Sequence, residues 1–494
     1  MGGEHTEGVA LHAVNGEQEE PPRKQDEDVT VDRIVDRIGF GRYQARLLVL
    51  CGAGWAADIM DIQALSFLIP KLKREWGVSS AGLGLAASFT FIGMLLGSLV
   101  WGVMSDRKGR KISFTLTSLW AGFFGMLAAT ASNVESLVLW RFLQGFGLGG
   151  NLAIDFSLFM EFVPTCSRGK ATTLLTIFAT VGSLTASGLA WALLETAGWQ
   201  TFLILCSCPG IIIAFFRSQM LESPYFLAET GRDEESLRVL KEVARFNGYN
   251  QELLGEGGSI KKTDKIPLRV VIKSLSAPHV RDRLVATSCL WFALSYGFYG
   301  FNVWGPSYFD ARGFKPQNSY QALFTSVACQ IPGTLSATFL VERWGRRVLI
   351  ILFSLGCFLS ISGVALFEQA QAMVLFTLVL NFNTAALWAV IYTYTPEIFP
   401  TQLRTSAMGV CSAIARISGI LVSYLGGAFL HYSVSASLLS YALSYALVLL
   451  VAAFFLRVDM TGVPLSHVFS HDEPSYSART KLAESDVLAD PHEV

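Results

Sequence analysis

The chain has 494 residues, of which 52% are hydrophobic, 12% aromatic and 16% charged, with a formal net charge of −1. An ordinary soluble domain carries about 25% charged residues, and 47 of the 77 charged side chains here lie in residues 1–46, 218–283 and 457–494, which leaves 30 for the other 344 residues. That distribution excludes a string of soluble domains, and the absent basic excess excludes a nucleic-acid surface, so an all-α membrane protein is expected.

Residues 1–46 lack the apolar region of a signal peptide and read as a cytosolic tail. A crossing of the hydrocarbon core needs ~20 apolar residues. Runs of that kind predict spans over 47–69, 82–104, 112–131, 136–160, 171–193 and 199–217, an N-terminal half covering 47–217. A polar linker, 218–283, follows, with an amphipathic stretch at Glu234–Phe246 expected to lie beneath the bundle. Spans over 284–309, 320–341, 348–367, 372–395, 406–430 and 434–456 make a C-terminal half, and residues 457–494 form a second tail.

Twelve spans return both ends to one side. Loops 105–111, 161–170, 342–347 and 396–405 on that side carry ten Lys/Arg, against five on the other, Lys71, Lys73, Arg74, Arg312 and Lys315. The positive-inside rule therefore places both termini in the cytosol, with the Lys71–Glu75 strip as a local exception. The eight cysteines follow no metal or disulfide spacing, and the seven histidines avoid the spans, so no metal or cofactor is expected.

The two halves repeat. GVMSDRKGRK (Gly102–Lys111) is matched by ERWGRR (Glu342–Arg347), with Asp106 and Glu342 236 residues apart. EFVPTCSR (Glu161–Arg168) is matched by EIFPTQLR (Glu397–Arg404) at the same offset, and Trp55 by Trp291. Three matches at one offset indicate duplication, hence twelve transmembrane helices as two six-helix halves about a pseudo-two-fold axis. Parallel halves with a substrate site between them at mid-membrane are a transporter design.

GVMSDRKGRK resembles the loop signature of the major facilitator superfamily. ERWGRR, PEIFPTQLR, RFLQGFGLGG (Arg141–Gly150) and LESPYF (Leu221–Phe226) resemble its sugar-porter-related branch, over essentially the whole chain except the tails. DRIGFGRYQ (Asp36–Gln44), GWAADIMD (Gly54–Asp61) and YTPEIFPTQLRTSAMGVCSAIARISG (Tyr394–Gly419) are most similar to synaptic-vesicle-two-related proteins and niacin transporters. The resemblance implies a monomeric secondary active transporter, not an enzyme, that moves a small organic ion with protons by alternating access. Sugar porters carry a double-Gln motif in the seventh span, where this chain reads SYGFYGFNVWGP (Ser295–Pro306), and their Pro-Glu-Thr motif is replaced by FLRVDMTG (Phe455–Gly462). The loop after the first span is short and has no glycosylation sequon, unlike that of animal organic cation and anion transporters. An aromatic carboxylate such as nicotinate is the favoured cargo. The alternatives are a sugar, phosphate or organic cation, or a non-transporting receptor-like protein on the same scaffold.

Ionisable residues inside spans cost at least ~2.5 kcal/mol at the bilayer centre and need a reason to be there. Asp58 and Asp61 are three apart in the first span and share a helix face; with Asp155 they are the candidate proton-coupling residues. A pairing of Asp58 with Arg416 or Arg141, Asp61 reaching outer water, and a gate contact for Asp155 are the bland readings. Arg416 presents a fork suited to a carboxylate, and Tyr296, Tyr299, Asn302 and Asn383 are the other candidate substrate contacts. Asp106, Arg107, Arg110, Arg141, Glu161 and Arg168, with Glu342, Arg343, Arg346, Glu397 and Arg404, read as gates. Asp106 is expected near Arg110, Glu161 near Arg168, Glu342 near Arg346 and Glu397 near Arg404. The resemblance implies that these charges tie the halves together on the inner side when the cavity opens outward. Gly145 to Gly150 satisfies a dinucleotide-binding spacing but follows no strand, so close helix approach is expected there.

Overall fold

A computed structural model describes residues 30–249 and 268–456, in which every regular element is helical; the predicted tails before residue 30 and after 456 lie outside the described residues. Thr30 caps α1 (Val31–Ile38), whose Val31, Ile34, Val35 and Ile38 are buried at helical spacing. The N-terminal half is α2 (Arg42–Trp76), α3 (Ser80–Lys108), α4 (Arg110–Leu127), α5 (Val134–Glu161), α6 (Arg168–Leu193) and α7 (Gly198–Arg217). Three short helices follow: α8 (Pro224–Glu229), α9 (Asp233–Asn247) and α10 (Leu268–Leu275). The C-terminal half is α11 (Pro278–Ala311), α12 (Pro316–Ala328), α13 (Gln330–Trp344), α14 (Arg346–Leu366), α15 (Ala370–Glu397), α16 (Thr401–Tyr432) and α17 (Val434–Phe454). α12 and α13 form one span interrupted at Cys329. Eleven helical stretches are long and apolar enough to cross a membrane, and the 28-residue α5, packed along α3 and α4, is the twelfth. The face that carries α1, α8 and α9 and both ends of the described chain is called inner below.

Two boundaries differ from the sequence expectation. The first span runs on through Pro70 to Trp76, so the Lys71–Glu75 strip is helix, not loop. α11 starts at Pro278, where proline at the first turn sacrifices only an N–H that is unpaired in any helix. The amphipathic stretch at 234–246 is α9, which buries Ser236, Leu240, Val243 and Ala244 against the bundle.

The duplication is written in the backbone. Gly77 and Gly313, 236 residues apart, both adopt positive φ (65° and 78°), and so do Gly109 and Gly345 (108° and 81°), at that offset again. These are the turns after the first and second spans of each half, where a side chain would strain the left-handed conformation.

The glycines of α5 act as predicted. A Cβ on Gly145 or Gly149 would run into the carbonyls of Thr90 and Met94, and one on Gly93 or Gly97 of α3 into those of Phe142 and Phe146. α3 and α5 are therefore in backbone contact. α3 also crosses to the other half: Ser88 donates to the Ile420 carbonyl at 2.9 Å, and Gly84 and Gly427 allow α3 and α16 to close on each other toward the outer face. One apolar core joins the outer part of the N-terminal half to the C-terminal half. A second core belongs to the inner end of the N-terminal half with α1 and α9.

Candidate functional site

Near the middle of α2, Asp58 is 6% exposed and accepts a hydrogen bond from Asn151 Nδ2 of α5 at 2.8 Å. Asn151 Oδ1 in turn accepts from Arg217 Nη1 at 3.1 Å, and Arg217 Nη2 pairs with Asp155 Oδ2 at 2.8 Å. Arg217 and Asp155 are fully buried, at 0% and 2% side-chain exposure. Ser118, the Phe114 carbonyl and the Phe114 ring, 3.5 Å from the guanidinium carbon, complete the surroundings of Arg217. Gly54 makes this possible, since a Cβ there would occupy the position of the guanidinium. Arg217 thus pairs directly with Asp155 and reaches Asp58 only through Asn151, and Asp58 Oδ2 and Asp155 Oδ1 accept nothing from the protein.

One turn outward, Asp61 Oδ1 accepts from Ser207 Oγ at 2.5 Å. Arg141, fully buried, donates to the Asp61 carbonyl at 2.9 Å and to Gln144 Oε1 at 2.8 Å. Asp58 and Asp61 do share a face, the one toward α5 and α7. Arg141 meets the Asp61 backbone and not its carboxylate, and sits in the N-terminal interior instead of at an inner gate. Arg217, Asn151, Gln144 and Ser207 were not singled out in the sequence. Arg217 ends the apolar run 199–217, and position in the run alone does not mark it as buried.

Arg416, halfway along α16, is 7% exposed and has no carboxylate within ion-pair distance among the described residues. It therefore pairs with neither Asp58 nor any other acid among the described residues. Its Nη1 donates to Tyr299 Oη at 3.4 Å. Tyr299 leans on Phe298 and, across the half boundary, on Phe91 of α3, with ring centroids 4.7 Å apart. Phe298 meets Trp388, which meets Trp291 and Tyr392. The Trp388 Nε1–H is buried with no acceptor. Arg416 thus meets the Tyr299 hydroxyl, and an aromatic chain runs from Tyr299 through Phe298 to Trp388.

The remaining candidates are dispersed. Tyr296 packs edge-on against Tyr441 of α17. Asn302 lines a small recess with Phe298 and Asn381. Asn383 donates within its own helix and lies against Gly356 of α14, while its neighbour Asn381 accepts from Gln330 at 2.8 Å.

The inner charges pair differently from the expected pattern. Arg110 does take Asp106 at 2.6 Å, but it also takes Glu161 at 3.4 Å. The repeat-related Arg346 holds Glu397 at 3.0 and 3.1 Å. The repeat offset therefore links Arg110–Glu161 to Arg346–Glu397, and Glu161–Arg168 and Glu397–Arg404 are not the pairs. Arg168 instead reaches Asp32 of α1 at 2.9 Å. Arg107 and Arg343 are exposed, Arg404 is half-buried, and the Glu342 side chain lies outside the described ones. Each of these pairs stays within its own half, because the helices bearing the two partners are bundle neighbours there.

Charge crosses between the halves at the outer face. Glu195 accepts from Lys71 at 3.0 Å, lies 3.7 Å from Arg74, and takes the hydroxyl of Tyr320 from the C-terminal half at 3.2 Å. Arg74 extends to Asp310 at 3.4 Å. These two residues are separated by the repeat offset, 236, so the pair straddles the pseudo-two-fold axis. The strip that broke the positive-inside pattern is an outer clasp. Exposed pairs are worth ~0–1 kcal/mol each, so Glu195→Gln, which weakens three contacts, is expected to raise the population in which the two halves part at the outer face roughly fivefold (about 1 kcal/mol). Spin labels on Thr196→Cys and Asn318→Cys, with the exposed Cys166 and Cys289 replaced, should show a longer-distance population in that variant; an unchanged distribution would remove the clasp.

The sugar (and other) transporter family profile matches residues 18–469. The chain is 29% identical over 461 residues to the synaptic vesicle 2-related protein of Xenopus laevis, covering 88% of this chain and 82% of that one. It is 28% identical over 393 residues to the niacin transporter NiaP of Acinetobacter baylyi, covering 78% and 87%. Among solved structures, the proton:xylose symporter XylE bound to 6-bromo-6-deoxy-D-glucose superposes with a TM-score of 0.68 at 18% identity, covering 86% of this chain and 99% of that one.

Proposed function

The chain belongs to the sugar (and other) transporter family of the major facilitator superfamily, and from that premise we propose that it carries a small organic anion, an aromatic carboxylate such as nicotinate, together with a proton by alternating access. The inner face is the cytosolic one in this reading. The observation that carries it is the distribution of buried charge. The N-terminal interior holds three carboxylates, Asp58, Asp61 and Asp155, against two guanidiniums, Arg141 and Arg217. The C-terminal interior presents Arg416 with no acid beside it among the described residues. A bound carboxylate compensates Arg416, and a proton compensates the surplus acid across the boundary, so cargo and proton are each favoured by the same closure. Buried charges are costly unless matched, which makes the doubly loaded and the empty carrier different in their ease of reorientation. The niacin transporter relative supports the choice of cargo.

Mechanistically, the fork of Arg416 orients the carboxylate, and Tyr299 with Trp388 bounds a flat ring. Phe91 packs on Tyr299 from the N-terminal half, so a cargo that moves Tyr299 is felt by both halves. Asp58, held by Asn151 but without a cation of its own, is the proton carrier; Asp155 stays with Arg217. Disengagement of the Glu195 clasp opens the outer route.

The test is uptake of labelled nicotinate into proteoliposomes with an imposed inward proton gradient, alongside an organic cation. Accumulation of nicotinate should follow the gradient and be indifferent to membrane potential, since one anion and one proton move no net charge. Asp58→Asn should abolish gradient-driven accumulation while nicotinate exchange at equal pH persists. Accumulation in Asp58→Asn equal to that of the unaltered protein would sink the coupling assignment.

A further inference from the structure

On the inner face a cleft of about 490 Å³ opens between the α3–α4 turn and α9. Lys108, Lys111, Arg232 and Arg238 line it against two acids, Glu222 and Glu235, an excess of two positive charges. Both acids are already engaged. Glu222 Oε1 accepts from the backbone N–H groups of Arg110, Lys111 and Ser223 at 2.9, 3.0 and 2.9 Å, capping α4. Glu235 is held by Arg232 through two bonds of 2.8 and 2.5 Å. Lys108 and Lys111 have no carboxylate within ion-pair distance among the described residues, and Arg238 comes no closer than 3.9 Å to Glu234. The cleft is a concave site with positive charge left over.

Its wall is also apolar toward the membrane. Ile112 lines the cleft and is 50% exposed, and it leads a stripe on α4, continued by Leu116, Leu119 and Phe123, that points away from the bundle. A ligand that places phosphates against Lys108 and Lys111 therefore has hydrocarbon contact one turn away. Basic clusters next to the end of a span attract anionic lipid headgroups, and the volume lies in the range of small-ligand sites. We propose that this cleft binds the multiply phosphorylated headgroup of a phosphoinositide-class lipid in the leaflet on the inner side, with its acyl chains along the α4 stripe. Because the α3–α4 turn carries the Arg110–Asp106–Glu161 contacts, such a lipid grips the part of the N-terminal half that those ion pairs hold.

The experiment uses the full chain in phosphatidylcholine nanodiscs, titrated with a fluorescent short-chain phosphatidylinositol 4,5-bisphosphate and read by anisotropy. Lys108→Ala/Lys111→Ala should weaken binding at least tenfold, while Lys108→Arg/Lys111→Arg keeps it within about twofold and shows that folding is intact. Arg269→Ala/Lys273→Ala, on α10 at the same face, should leave it unchanged. Equal loss in that control, or no loss in the alanine pair, would overturn the site. Soluble inositol 1,4,5-trisphosphate should compete at least tenfold more weakly than the lipid; equal competition would overturn the lipid assignment in favour of a soluble phosphate.

Discussion

Replacing Arg217 with methionine is expected to lower stability by about 3–5 kcal/mol, the usual consequence of removing one partner from a buried ion pair. Arg217 is fully buried, and its guanidinium serves Asp155, Asn151, Ser118 and the Phe114 carbonyl at once. Methionine keeps the stem that passes Phe114 but leaves Asp155 and Asp58 facing each other in a dry interior, with Asn151 unable to satisfy both. The measurement is the temperature at which the purified protein ceases to elute as a single species in detergent. The double variant Arg217→Met/Asp155→Leu should recover most of the loss, because replacing both partners leaves no orphaned charge. A single variant as heat-resistant as the unaltered protein would show that the network does not hold α5, α7 and α2 together.

The second large effect is expected at Arg416. Truncating it to alanine removes the only guanidinium described at the half boundary of the C-terminal interior, and loss of one partner of a buried charge pair costs roughly 2–5 kcal/mol in binding. The concentration of nicotinate for half-maximal exchange should therefore rise about 30-fold or more. Arg416→Lys should fall between, since an ammonium keeps the charge and loses the planar fork. Asp58→Asn, by contrast, should leave that concentration within about threefold and abolish only the coupling to the proton gradient. Exchange that stays equally avid in Arg416→Ala would mean that the carboxylate is held elsewhere. In the proposed reading the two variants separate recognition from coupling, and the residues assigned to each lie on opposite sides of the boundary marked by Phe91 and Tyr299.

The existence of the spans and the duplication were legible in the chain because both are local statements, although individual span limits moved. An apolar run is a run whatever it packs against, and an offset of 236 survives in motif after motif. The same offset also joins Arg74 to Asp310, and Gly77 and Gly109 to Gly313 and Gly345. Followed to its end, it would have pointed to the outer clasp. The amphipathic α9 and the close approach at Gly145 and Gly149 were legible for the same reason, since period and side-chain size are written residue by residue.

Partners were not legible. Glu161 is seven residues from Arg168 yet pairs with Arg110, and Glu397 pairs with Arg346, 51 residues away, because neighbours in a bundle are set by which helices cross. Arg217 stands at the end of its apolar run yet lies inside, because Gly54 leaves room for a guanidinium beside α2. Asp58 and Arg416 both stand near the middle of their helices, but helix rotation turns Asp58 into the N-terminal interior and Arg416 toward Tyr299.

By itself, then, the order of residues determined a twelve-span protein of two related halves, since transfer of apolar runs out of water needs no knowledge of the fold. Only the tertiary structure decided which buried charges meet, that the N-terminal interior carries the surplus acid and the C-terminal interior the unmatched arginine, and that charge joins the halves at the outer face. The physical reason is range: transfer energy is summed along the chain, whereas a hydrogen bond or an ion pair is settled within about 3–4 Å, by packing.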